Sequence, residues 1–108
     1  MAQQVYISNH KSLYANTVTL TPDQPNQQIP AYLIPDDVGI AVKNDPVNPM
    51  GLLVRVDGKR VTSTSWPLVN GESIILRVTD ASAVWVGVVG PFPTGVSQII
   101  VDYVFEID

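Results

Sequence analysis

The sequence predicts an all-β fold: one antiparallel β-sandwich domain over residues 1–108, jelly-roll-like, with about eight or nine short strands. Three observations carry that expectation. Apolar and polar residues alternate in short runs, the period of a strand covered on one face. The pairs Asp57-Gly58 and Asn70-Gly71 punctuate those runs with turn chemistry. Nine prolines and seven glycines are spread so evenly that helices have little room, because proline removes a helical hydrogen bond and clashes with the preceding turn.

Taken in order, strands are expected near Gln4–Ser8, Thr17–Thr21, Gln27–Leu33, Val38–Asn44, Leu52–Val56, Lys59–Ser63, Ser73–Val78, Ala83–Val89 and Val96–Ile107. The connectors between them are turn-like. Thr21-Pro22-Asp23-Gln24-Pro25-Asn26 and Pro35-Asp36-Asp37 combine proline with Asx residues. Asn44-Asp45-Pro46-Val47-Asn48-Pro49 is a stiff loop, since a residue before proline is pushed toward extended geometry. Asp57-Gly58 between alternating runs predicts a type I′ hairpin joining Leu52–Val56 to Lys59–Ser63. Trp66-Pro67 reads as a break before the Asn70-Gly71 turn, and Thr79-Asp80-Ala81-Ser82 as a polar turn. Gly90-Pro91-Phe92-Pro93-Thr94-Gly95 bends the chain ahead of the last strand. In that strand Ile99, Val101, Tyr103, Phe105 and Ile107 share one face, while Ile100 and Val104 join Gln98, Asp102 and Glu106 on the other.

Composition narrows the function classes. A hydrophobic fraction of 45% with a charged fraction of 15% suits a compact globule rather than a disordered segment. The charged share lies below the roughly one quarter usual for globular domains, so much of the surface is uncharged, as where neighbours in an assembly cover it. A net charge of −4 with six basic residues argues against nucleic acid as a partner. Arg55, Lys59 and Arg60 are read as a solvated hairpin tip. No cysteine is present, which excludes disulfides and thiolate metal sites. No stretch has the apolar length of a membrane helix, and Met1-Ala2-Gln3-Gln4 lacks the basic and apolar regions of a signal peptide, so a protein made in the cytoplasm is expected.

The residues do not assemble into a catalytic set, and no catalytic residue, cofactor or metal is expected. His10, the one histidine, lies between Asn9 and Lys11 in a polar segment and reads as a loop residue. Asp36, Asp37, Asp45, Asn44 and Asn48 are hard oxygen ligands, but their spacing matches no calcium loop. Asp102 and Glu106, four apart on one strand, place their carboxyls about 13 Å apart, too far for a glycosidase pair. Trp85 alternates with Val84 and Val86 and is expected in the core, whereas Trp66, before a proline in a polar stretch, is the surface aromatic.

A resemblance can be placed on these features. Ile29-Pro30-Ala31, then Ile40-Ala41-Val42-Lys43-Asn44, then Pro67-Leu68-x-x-Gly71-Glu72, then Val84-Trp85-Val86 resemble the small all-β accessory virion proteins of tailed bacteriophages that decorate or cement the capsid. The likeness covers roughly residues 28 to 88, and its motifs are structural. The chain departs from it in a longer proline-rich middle loop and an extra C-terminal strand. The resemblance implies a non-enzymatic protein on the virion surface, bound to the major capsid protein and assembled as a trimer or dimer. A second class fits the same sandwich: a carbohydrate- or receptor-binding module, as in a phage tail or head fibre, with Trp66 and tyrosines as its platform. Partner contacts are expected at Asn44, Asp45, Val47, Asn48 and Met50 in the stiff loop and at Trp66 and Pro67. Contacts within an oligomer are expected at Ile100 and Val104.

Overall fold

The computed structural model describes residues 12–35 and 39–107. Among these residues are eight strands: β1 Ser12–Leu20, β2 Asn26–Gln28, β3 Ile40–Asn44, β4 Leu52–Arg55, β5 Trp66–Leu68, β6 Ser73–Leu76, β7 Trp85–Gly87 and β8 Ile99–Ile107. They form two four-stranded sheets, ordered β1-β8-β3-β6 and β2-β7-β4-β5, with every neighbouring pair antiparallel. This interleaving, in which the chain crosses between sheets at nearly every connection, is the order of an eight-stranded jelly roll. Among the described residues no helix is long and apolar enough to cross a membrane.

The core follows the alternation in the sequence. Ile99, Val101, Tyr103 and Phe105 of β8 are buried against Leu52, Val54, Leu68 and Val86 of the facing sheet, with Val18, Leu20, Ile40 and Val42 completing the layer. At full burial each contributes about 1.5–3 kcal/mol. β8 is flanked along its length by β1 and also by β3, so the longest apolar strand lies in the middle of its sheet rather than at an edge. Ile100 and Val104 are half-buried on the outer face. Their lateral neighbours are the chain's own Thr19 beside Ile100, and Ala15 and Ala41 either side of Val104. These neighbours flank the two side chains within the sheet and leave each partly exposed on the outer face.

The structure corrects several element boundaries. The expected strand Gln27–Leu33 shortens to Asn26–Gln28, with Leu33 forming an isolated bridge to Asp80. The expected strand Gln4–Ser8 lies outside the described residues. Trp66–Leu68 is not a break but the edge strand β5, paired with β4 through Leu53–Pro67 and Val54–Trp66. An edge position tolerates Pro67, which cannot donate to a ladder.

The Asp57-Gly58 hairpin does not form. A type I′ turn needs positive φ at both central residues, yet Gly58 has φ +78° and, among the described residues, none other than glycine has positive φ. The Asp57 carboxylate instead grips Arg55, at 2.6 Å to Nε and 2.8 Å to Nη2, and accepts from the Lys59 N–H at 3.3 Å. Gly58 N–H donates to Ala83 O at 2.9 Å. The chain thus turns away from β4, and residues 59–63 form a strap across the outer face of the second sheet. Within it Val61 is buried, and its N–H donates to Asn26 Oδ1 at 3.1 Å.

Candidate docking surface

Three loops meet at one end of the sandwich: β3–β4, β5–β6 and β7–β8. Two buried asparagines join the first two. Asn44 donates through Nδ2 to Leu68 O at 2.9 Å and Met50 O at 3.2 Å. Asn48 donates through Nδ2 to Asn44 Oδ1 and to Ile100 O, both at 2.6 Å, and its Oδ1 accepts from the Ile100 N–H at 2.8 Å. Asn70 Nδ2 donates to Asn48 O. These amides therefore fasten the stiff loop to β5, to β8 and to the Val69–Glu72 turn. Asn44 and Asn48 were expected to touch a partner, but at 0% and 4% exposure they are structural. Buried amides are stable only when hydrogen-bonded, and here they replace a regular ladder across a non-repetitive corner. Their oxygens accept from Asn48 and Ile100, which leaves them poor candidates for calcium ligation.

The turn after β5 is latched in the same way. Gly71, φ +74°, occupies the third position of the Val69–Glu72 turn, where positive φ is the glycine requirement of a type II turn. Its N–H donates to Asn44 O at 2.7 Å, and the Asn44 N–H returns a bond to Glu72 O at 3.0 Å. In the third loop, Val88 is fixed by its N–H to Pro25 O and by Asn26 Nδ2 to its own carbonyl, both at 3.0 Å.

Braced in this way, the loops enclose an open groove of about 500 Å³ beside the strap, lined by Met50, Leu53, Pro67, Val69, Val88 and Val89. Among the described residues no charged side chain lines it. Val69 and Val89 are 59% and 54% exposed, and Val47, on the same stiff loop as Met50, is 71% exposed. Met50 and Pro67 were expected contacts, and the structure brings them together. Trp66 is 64% exposed but turns away from the groove, into a shallow depression with Val54, Val56, Thr62 and Thr64. Sequence reasoning missed Leu53, Val69 and Val89. The signal was present in two valines placed directly before the turn glycines Asn70-Gly71 and Gly90, where polar residues are usual.

Asp45, also an expected contact, is half-buried and paired with Asp102 across the start of the loop. The Asp102 carboxyl is pushed up to about 6, first by burial and then by its hydrogen bond to, and repulsion from, Asp45, with Lys43 opposing. Asp45 is held below the usual carboxylate range by the Val47 N–H and then by Asp102. The two therefore share one proton in mildly acidic conditions.

Nothing in the described residues gathers a catalytic set. Three or more His, Cys, Asp or Glu side chains suited to a metal do not cluster there. Glu106 is buried on β8, and His10 lies outside the described residues, as do Asp36 and Asp37. Trp85, expected in the core, is half-buried on the outer face of the second sheet, since Val84 and Val86 take the inward positions. Comparison with protein-family models, curated proteins and solved structures finds no match for this chain.

Proposed function

We propose that the protein is a non-enzymatic structural virion protein, a capsid decoration protein that reinforces a phage head by bridging subunits of the major capsid protein. The observation that carries this reading is the charge-free groove held open by rigid loops. Burying an unpaired charge at an interface is costly, and the cores of protein interfaces are accordingly depleted of charged residues. Loops braced by proline and by buried amides lose little entropy on docking. The jelly roll supplies a rigid frame for such a surface, and the resemblance of residues 28 to 88 to phage accessory proteins supplies the partner. Several copies, as a dimer or trimer on the shell, would add effective concentration to modest single contacts.

The test uses phage heads lacking this protein. Such heads should assemble but break at lower temperature, and purified protein should restore them. A Val69→Asp, Val89→Asp double variant should fold normally, because both valines are exposed, yet attach at least about tenfold more weakly. Heads equally robust with and without the protein, or full attachment by the double variant, would refute the proposal.

A further inference from the structure

The strap divides the outer face of the second sheet, and on its far side lies a cleft of different character. It holds about 440 Å³ and is lined by Trp85 of β7, Arg60 of the strap, Asn26 and Gln28 of β2, and Asp23 of the preceding turn. Three features of these side chains point the same way.

The Trp85 ring lies in the cleft with the Arg60 guanidinium 5.9 Å from its centroid. Its indole N–H is buried without a hydrogen-bond partner among the described residues. A buried donor left unmet is uncommon, and tryptophan normally finds a partner for it. Two arginines, next, lie near this face. Arg55 is chelated by Asp57 at 2.6 and 2.8 Å, whereas Arg60 has no carboxylate partner among the described residues. In a chain of net charge −4, the unpaired guanidinium faces the cleft. Lastly, Gln28 lies directly opposite Trp85 in the ladder, and its Nε2 is tied to Ser82 O at 2.6 Å. With the amide nitrogen held, its Oε1 remains as a fixed acceptor, and the exposed Asp23 carboxylate adds another.

We infer that this cleft binds a saccharide ring that carries a carboxylate, of the uronic or sialic acid type. The apolar C–H face of the ring packs on the Trp85 indole. The carboxylate takes the fork of the Arg60 guanidinium, the geometry arginine matches bidentately. Hydroxyls donate to Gln28 Oε1 and Asp23. The Arg60 side chain can swing off the ring to receive the acid without breaking an ion pair, which also uncovers the indole N–H. A phosphate is a poorer fit, because it gathers several cationic or backbone donors and, among the described residues, Arg60 is the one basic residue lining the cleft. The site is separate from the docking groove, so the two can be tested independently.

The experiment titrates the protein with glycans ending in uronic or sialic acid and with the same glycans after carboxyl reduction. The chain has two tryptophans, so a Trp66→Phe variant makes Trp85 the sole tryptophan reporter. Acidic glycans should shift its emission saturably, carboxyl-reduced ones should bind at least about tenfold more weakly, and Arg60→Gln should bring the acidic glycans to that same weak level. Arg60→Gln should attach to phage heads normally. No saturable shift with any acidic glycan, equal binding of the reduced forms, or undiminished binding by Arg60→Gln would each overturn the inference, whatever the outcome at the docking groove.

Discussion

Replacing Asn48 by alanine tests whether the stiff loop is held from within or merely displayed. The substitution deletes two donated hydrogen bonds at 2.6 Å and one accepted at 2.8 Å. It strands Asn44 Oδ1 and the Ile100 N–H in a region where Asn48 itself is 4% exposed, while the Ile100 carbonyl keeps the Asp45 N–H at 3.3 Å. A hydrogen bond contributes about 1 kcal/mol net, and a buried polar group left unpaired costs about 1–3 kcal/mol. Water entering the vacated corner recovers part of this, so a loss on the order of 3 kcal/mol is expected. With a urea dependence of about 2 kcal/mol per molar, the unfolding midpoint should fall by about 1.5 M at unchanged slope. Asn16→Ala serves as the control, since Asn16 is exposed, and should stay within about 0.5 kcal/mol. A loss below about 1 kcal/mol for Asn48→Ala would show that the network does not hold the corner, and would return Asn48 to the set of surface contacts.

Three further outcomes follow from the same geometry. A Cβ on Gly87 would meet Asn26 Cγ, Asn26 Oδ1 and Pro25 O at 2.7 Å, so Gly87→Ala should cost about 1–3 kcal/mol in a denaturant melt and deprotect the Val61 amide in hydrogen exchange. Because Asp102 is raised from 3.8 to about 6, its contribution to stability is complete below pH 3.8 and is lost as pH rises through about 6. Asp45 works oppositely, contributing above its unfolded value and losing that contribution as pH falls. The unfolding midpoint should therefore drop as pH rises from about 4 to about 6, and Asp102→Asn should flatten that drop; an unchanged profile would rule out the shared proton. Ile100→Ser with Val104→Ser should shift an oligomer toward monomer by light scattering while circular dichroism stays β-rich, and a protein monomeric from the start would end the idea of a contact there.

The architecture was legible because burial has a period. β8 alternates from Ile99 to Phe105, so its inward face could be named from the sequence up to the point where Glu106 is also buried, and the turn pairs marked where runs end. What the sequence could not show was which run pairs with which. Asp57-Gly58 carries strong hairpin chemistry, yet the Arg55–Asp57 ion pair and the Gly58–Ala83 bond turn the chain across the sheet. Pairing then passes to Trp66–Leu68, where proline had argued against a strand. Short strands leave this choice to tertiary contacts, because three ladder positions outweigh little. Trp85 was misplaced for a related reason. Its neighbours are both valines, and alternation marks two faces without saying which one is inside when all three residues are apolar. The docking groove was half legible. Met50 and Pro67 stood out by chemistry, but Asn44 and Asn48 look identical in sequence whether they brace a loop or meet a partner.

The charge distribution explains why the second sheet, rather than the first, presents the groove. On the outer face of the first sheet, Lys43 sits beside Asp102 in the ladder, with Asp45 close by and Thr17 and Thr19 along β1. Covering that face with a partner would desolvate charges that already compete for one proton, at a cost the contact must overcome. On the second sheet the charged groups are gathered by the strap: Arg55 is neutralised by Asp57, and Arg60 is drawn over Trp85. Leu53, Pro67, Val69 and Val89 are thereby left as a surface whose removal from water is favourable in itself. The strap that replaced the expected hairpin is thus what separates an apolar contact from a polar cleft on a single sheet. A regular hairpin, extending β4 beyond the end of the sandwich, would have left Trp85 and Leu53 on one continuous open face.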